Sequence, residues 1–179
     1  FNRALGPIAL ETGFKEAYVI VGDRTETGVG GGVCQVSTTL FRAFFFAGLP
    51  ILERHAHSYQ VAYYKPPGLD AAVIQPYKDL KVLNDTPGAL WIQASVQEGR
   101  LRFHLFGTKD REVAWEGPFI TDRKPPLPPR EIPDPTLPPG ARKQVDFAAE
   151  GAKVVVRRRP GGPGGERLPP LGGGLSGGA

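Results

Sequence analysis

Glycine and proline divide this chain into a part that can pack and a part with little to bury. Residues 1–107 hold 12 Gly and 6 Pro, whereas the shorter stretch 108–179 holds 12 Gly and 13 Pro. At the second density packed structure becomes sparse, and 125–139 reads as extended, polyproline-like chain, because each Pro lacks a donor and restricts its predecessor. The expected organisation is a globular domain over 1–117, a Pro-rich extended and partly packed segment over 118–150, and a basic, low-complexity Gly/Pro tail over 151–179 that stays disordered. Charge follows the same division. Residues 151–179 carry five basic side chains and one acidic one, which accounts for the whole net charge of +4 and leaves 1–150 neutral. The folded part therefore has no basic excess to recommend nucleic acid as a partner.

Within the first part the periods are legible. Ala17–Val21 (AYVIV) reads as a buried strand, and Gly30-Gly31-Gly32 leads into a stretch from Gln35 to Ala47 free of Gly and Pro. There Val36, Leu40, Ala43, Phe44 and Ala47 recur at helical spacing, and Phe41, Phe45 and Phe46 widen the apolar face, predicting a helix buried almost all round. Gly48 and Pro50 stop it. Strands are expected at Tyr59–Tyr64, Ala71–Ile74, Leu80–Leu83, Leu90–Val96 and Leu101–Phe106, the last two joined by a turn at Gln97-Glu98-Gly99-Arg100. The fold class is α+β: a mainly antiparallel sheet on one central helix that starts at a glycine-preceded cysteine.

That cysteine, Cys34, is the only one in the chain, which excludes an internal disulfide, CxxC redox chemistry and a four-cysteine zinc site. The chain has no Met and no leader-like start, and its longest apolar run is far too short to span a bilayer, so it reads as a segment whose signal or anchor lies outside it. At a helix start, unpaired N–H groups and the helix dipole stabilise a thiolate. The glycines Gly31 and Gly32 let backbone amides approach a carbonyl closely, and Gln35 adds a side-chain donor to an oxyanion hole. A thiol nucleophile also needs a base, and His55 and His57 follow the helix in Glu53-Arg54-His55-Ala56-His57-Ser58. A 13-residue helix carries the chain roughly 20 Å from Cys34. For His57 to reach the thiol, the 49–54 segment must run back, as a short strand through Leu49, Ile51 and Leu52.

Other readings stand beside this one. The cysteine could be a small buried hydrophobe, and the glycines a plain turn; they lack the lysine and spacing of a phosphate loop. Cys34, His55 and His57, with Asp70, would also suit zinc. His104, in Phe103-His104-Leu105, reads as structural.

The chain resembles the VanW family, named for an accessory protein of vancomycin-resistance clusters. The resemblance rests on Gly30-Gly31-Gly32-Val33-Cys34-Gln35-Val36-Ser37-Thr38-Thr39-Leu40-Phe41, the His-x-His block, and Pro67-Gly68-Leu69-Asp70-Ala71. It continues through Asp79-Leu80-Lys81 with Asn84-Asp85-Thr86, and Phe106-Gly107-Thr108-Lys109. Departures are Ala56 where Pro is frequent, and the Phe-rich 44–46 stretch. The resemblance implies a bacterial, extracytoplasmic, cell-envelope protein, often with an upstream peptidoglycan-binding-like region and sometimes a downstream β-rich module; it implies no particular reaction.

The residues themselves suggest one, a cysteine-dependent peptidase, amidase or acyl transferase without a cofactor, and the resemblance implies peptidoglycan peptide as what it acts on. Cys34 would be the nucleophile, His57 or His55 the base and Asp70 the orienter of the imidazole, with Gly31, Gly32, Gln35, Ser37, Arg54, Ser58 and Tyr63 as binding residues. Nucleic acid is not expected as a partner, and a membrane is reached only through a segment not in this chain. The alternatives are a non-catalytic peptidoglycan- or partner-binding module, with Tyr59, Tyr63, Tyr64 and Trp91 stacking on sugars, or a Cys/His zinc protein.

Overall fold

The structure is a computed structural model that describes residues 1–21, 24–58, 62–145, 147–161 and 171–175. It opens with a short helix, α1 (Asn2–Leu5), and an antiparallel hairpin of β1 (Glu16–Val21) and β2 (Arg24–Val29). The long helix α2 (Val33–Phe46) follows, then β3 (Ile51–Glu53), which pairs antiparallel with β4 (Lys81–Val82). The hairpin of β5 (Trp91–Gln97) and β6 (Arg100–Phe106) comes next, and β7 (Glu112–Lys124), β8 (Gly151–Gly161) and β9 (Leu171–Leu175) form a three-stranded antiparallel sheet. Small antiparallel sheets around one long helix make this an α+β fold. Among the described residues no helix is long and apolar enough to cross a membrane.

Helix α2 stops where glycine lets it. Gly48 takes a φ of 77°, its N–H bonds the Phe45 carbonyl at 3.1 Å and the Leu49 N–H bonds Phe44 at 3.1 Å, which caps two of the last carbonyls. Leu49 is thereby turned into the core, and the chain runs back through β3, the return that His57 needs. At the other predicted turn, Glu98 and Gly99 both have positive φ (51° and 72°), the two-residue geometry that matches strand twist in the β5–β6 hairpin.

The helix face differs from the one the apolar spacing predicts. Its buried residues are Val33, Ser37, Thr38, Phe41, Phe44 and Phe45, while Phe46 is 42% exposed, against Trp115. Hydroxyls occupy the stripe because they replace a sheet ladder: Ser37 Oγ donates to the Ala71 carbonyl at 2.6 Å, and the Ala71 N–H donates to Thr38 Oγ1 at 3.0 Å. Arg42 Nε donates to the Leu69 carbonyl at 2.7 Å. The buried segment 69–73 thus satisfies part of its backbone on helix side chains, and Ala71–Ile74 is not the expected strand; among the described residues it makes the isolated bridges His55–Ala72 and Ile74–Lys78. Of the expected strand Tyr59–Tyr64, residues 59–61 lie outside the described residues and Ala62–Tyr64 form one turn of 3-10 helix.

The larger correction concerns the domain boundaries. The expected end of the globular part at 117 falls inside β7, and 151–161, expected as the start of a disordered tail, is strand β8. Val154 and Val156 join the core of Val33, Phe41, Phe45, Leu69, Ala71, Val73 and Leu80. Arg158 is buried as well: its Nη1 donates to Phe45 at 2.8 Å, its Nη2 to Leu49, and its guanidinium stacks 5.0 Å from the Phe45 ring centre. Averaging over 151–179 hides an eleven-residue strand with buried alternate positions behind the glycines that follow it. The expected tail residues 162–170 and 176–179 lie outside the described residues.

Candidate active site

Cys34 is the second residue of α2, and the three glycines before it have separate tasks. Gly31 lies flush against β1: a Cβ there would come within 2.4 Å of the Ala17 methyl. Gly32 takes a φ of 94° in a place where a Cβ would meet nothing within 4 Å, so the space before the helix start is open. Val33 N–H bonds Gly30, and the N–H groups of Gln35 and Val36 both bond Gly32. The Cys34 N–H, in the first turn, has no intrahelical partner and points with the helix dipole. The exposed Gln35 can therefore contribute only its side chain.

The thiol is partly buried, with Sγ 3.5 Å from the Val73 carbonyl, to which it can donate. Returning through β3, the chain brings His57 to it. His57 Nδ1 is 2.6 Å from Asp70 Oδ2, which also accepts the His57 backbone N–H at 2.8 Å. The ring lies 4.4 Å from that of Tyr64, stacked within 19°. His57 is 4% exposed, its Nε2 has no hydrogen-bond partner among the described residues, and Cys34 is close enough to act, with Asp70, on the charge of the ring. On the far side of Asp70, Arg54 Nη2 donates to Oδ1 at 2.7 Å and Arg54 Nε to the Asp70 carbonyl at 2.6 Å.

Electrostatics follow this order. Burial works to raise the Cys34 thiol, but hydrogen bonding to His57, the backbone of Val73 and the His57 charge outweigh it, and the thiol sits below its ordinary range. Burial likewise works to lower His57, and Asp70 and Cys34 more than reverse it, so the imidazole is held above its ordinary value. Asp70 is pushed up by burial and pulled further down by His57 and Arg54. Thiolate and imidazolium are each favoured by the other, a pair that can attack an acyl carbon and then deliver a proton.

The structure brings together Cys34, His57 and Asp70, with Gly32 and Gln35 at the opening. It does not bring His55 there. His55 Nε2 is 3.0 Å from Glu53 Oε1, and Glu53 also binds Lys81 at 2.6 Å. The His-x-His pair lies beyond the end of β3, so its rings do not share a strand face, and the Cys34–His55–His57 zinc set is not assembled. Among the described residues no group of three or more His, Cys, Asp or Glu side chains is placed to hold a metal.

Two expected binding residues are also reassigned. Ser37 is fully buried on Ala71, and the Arg54 side chain is 5% exposed on Asp70, so neither faces a ligand. Tyr63 is exposed and close enough to Cys34 for the thiolate to raise its phenol, after burial, while Ser58 is half-buried. Tyr64, expected on an exposed sheet face, is buried against His57. Tyr59 lies outside the described residues. Trp91 is exposed on β5, 6.4 Å from Phe106, and His104 stacks on Phe106. Sequence reasoning missed the supporting roles of Thr38, Arg42 and Tyr64; the polar pair Ser37-Thr38 inside an apolar helix was the available signal.

The family model described as VanW like protein matches residues 1–106, more than half of the chain and the whole of this site. The chain belongs to the VanW family. It is 38% identical over 108 residues to the protein YoaR of Bacillus subtilis strain 168, described as uncharacterized; that match covers 60% of this chain and 35% of YoaR. It is 28% identical over 112 residues to the vancomycin B-type resistance protein VanW of Enterococcus faecalis strain V583, covering 59% of this chain and 40% of that relative. The chain thus spans well under half the length of either relative. No solved structure matches it. The VanW match ends at 106, before β8, whose Val154 and Val156 complete the core of the matched region.

Proposed function

We propose that this VanW-family chain carries a thiol-dependent acyl-transfer site that cleaves or exchanges amide bonds in bacterial cell-wall peptide, outside the cytoplasm. The observation that carries the reading is the series Cys34, His57, Asp70, in which one imidazole nitrogen is held by a carboxylate, the other is buried without a hydrogen-bond partner among the described residues, and the thiol lies close enough to help raise the ring. The Cys34 thiolate attacks the acyl carbon, and the carbonyl oxygen takes up the electron pair, facing the Cys34 N–H and the Gln35 side chain. Collapse of this intermediate breaks the C–N bond as His57 Nε2–H protonates the leaving amine. Water, or an acceptor amine, then attacks the thioester, His57 takes its proton, the C–S bond breaks and the thiolate–imidazolium pair is restored. Asp70 holds the Nδ1–H throughout and orients the ring. The likeness to a vancomycin-resistance protein supports cell-wall peptide as the acyl donor, and a lone thiol, with no partner in the chain, is compatible with an oxidising compartment.

The test is incubation of wild type and Cys34→Ala with purified muropeptides, read by mass spectrometry. New peptide products from wild type alone are expected; identical products from both, or none from either, overturn the reading. A second reading, a binding module without turnover, draws on the exposed Trp91 beside Phe106. Muropeptide retained equally by both proteins, unchanged in mass, would favour it.

A further inference from the structure

Arg54 stands immediately before the His-x-His pair, yet it is buried and turned away from any ligand. Its guanidinium is committed to one neighbouring segment: Nε to the Asp70 carbonyl at 2.6 Å, Nη2 to Asp70 Oδ1 at 2.7 Å and to the Gly68 carbonyl at 3.3 Å, with the plane 5.5 Å from the Phe41 ring centre. Binding both the main-chain oxygen and the carboxylate of one residue fixes that residue's backbone and rotamer together. With Oδ1 on Arg54, Oδ2 is left for the His57 ring and the His57 N–H. A carboxylate this deeply buried also needs a counter-charge while the imidazole is neutral, as it must be in part of any acid–base cycle.

We infer that Arg54 is a positioning residue of the thiol site: it keeps Asp70 ionised and aimed at His57, and through them sets the reactivity of Cys34. This rests on the thiol reading above. The ionisable groups facing the series are Arg42, which Asp70 influences, and Tyr63 and Tyr64, on which Cys34 acts. Arg42 is spent on the carbonyls of Leu69, Tyr64 and Lys65, so it cannot take over the contacts of Arg54. Lysine at position 54 would keep the charge but could not make the forked contact to both oxygens.

Because Cys34 is the only cysteine, alkylation by iodoacetamide reports this one thiol. Its rate is to be followed against pH in wild type, Arg54→Gln, Arg54→Lys and His57→Ala, with melting temperatures alongside. Arg54→Gln is expected to move the midpoint to higher pH, and alkylation at pH 6 slows roughly tenfold when the midpoint rises by about one pH unit; Arg54→Lys should recover part of the loss. A melting temperature that falls while the midpoint and rate stay those of wild type overturns the inference and leaves Arg54 merely structural. Should both variants fail to fold, the carboxyl-carbon NMR titration of Asp70 in His57→Ala decides: titration still below the ordinary carboxylate range, with Arg54 the remaining counter-charge, supports the inference, and titration within or above that range overturns it. If wild type already has an ordinary thiol midpoint, unmoved in His57→Ala, the thiol reading itself fails, an outcome distinct from failure of the Arg54 assignment alone.

Discussion

His55 and His57 are separated by one residue, and each has a carboxylate on a ring nitrogen, at 3.0 Å and 2.6 Å. Their surroundings are opposite. His57 and Asp70 are buried, backed by Arg54 and Tyr64, with one nitrogen left toward a thiol. His55 sits in a partly exposed cluster in which Glu53 is shared with Lys81 and the Asp79 N–H; Lys81 first, then His55, holds the Glu53 carboxyl at about 2. A histidine–carboxylate contact is therefore not a site by itself. Burial makes the His57 contact directional and costly to break, whereas water and a competing lysine screen the other.

The comparison can be broken most directly at the thiol. Cys34→Ala should lower turnover on muropeptide by on the order of 10^3-fold or more. His57→Ala should cost between about 10^2-fold and 10^4-fold, with His55→Ala within about twofold of wild type; equal losses in the two variants would erase the distinction. Asp70→Asn leaves Arg54 without its counter-charge and should destabilise the fold by about 3 kcal/mol, read as a lowered melting temperature, besides slowing turnover.

The pH dependence sharpens the same contrast. With the thiol lowered and the imidazole raised, activity should rise with thiolate formation below the ordinary thiol range and fall as His57 loses its proton above the ordinary imidazole value. Stability has its own sign. The folded Asp70 carboxyl lies below its unfolded value, so its contribution is full above the ordinary carboxylate range and is lost as pH falls through the folded value. Melting temperature should drop on acidification below about pH 4 in wild type and less steeply in Asp70→Asn. The smallest effect expected is that of Lys81→Ala on alkylation of Cys34: a midpoint unchanged from wild type, since no contact joins Lys81, Glu53 or His55 to the thiol among the described residues.

Much of the site was legible because it depends on local rules. A cysteine after three glycines, at the head of a Gly- and Pro-free run, predicts a thiol at a helix start, and Gly48 with Pro50 predicts the stop that turns the chain back. The strands of the β5–β6 hairpin follow from alternation around Glu98-Gly99. Ser37 and Thr38 were not legible as core, since a hydroxyl is buried only where a particular partner meets it, here the Ala71 backbone from 33 residues or more along the chain. Nor was β8, because its short apolar run leads into three arginines, one of them buried, and is followed by glycine-rich chain.

The sequence alone determined that this protein has one thiol, placed where a helix start can activate it, and that two histidines and an aspartate follow it in order. Tertiary structure decided which histidine meets the thiol, that Arg54 holds Asp70 instead of a ligand, and that the apparent tail supplies Val154, Val156 and Arg158 to the core. The physical reason is range. Helix starts, turns and caps are set by neighbours a few residues away, whereas burial and pairing of charge depend on segments that meet only once the chain has folded.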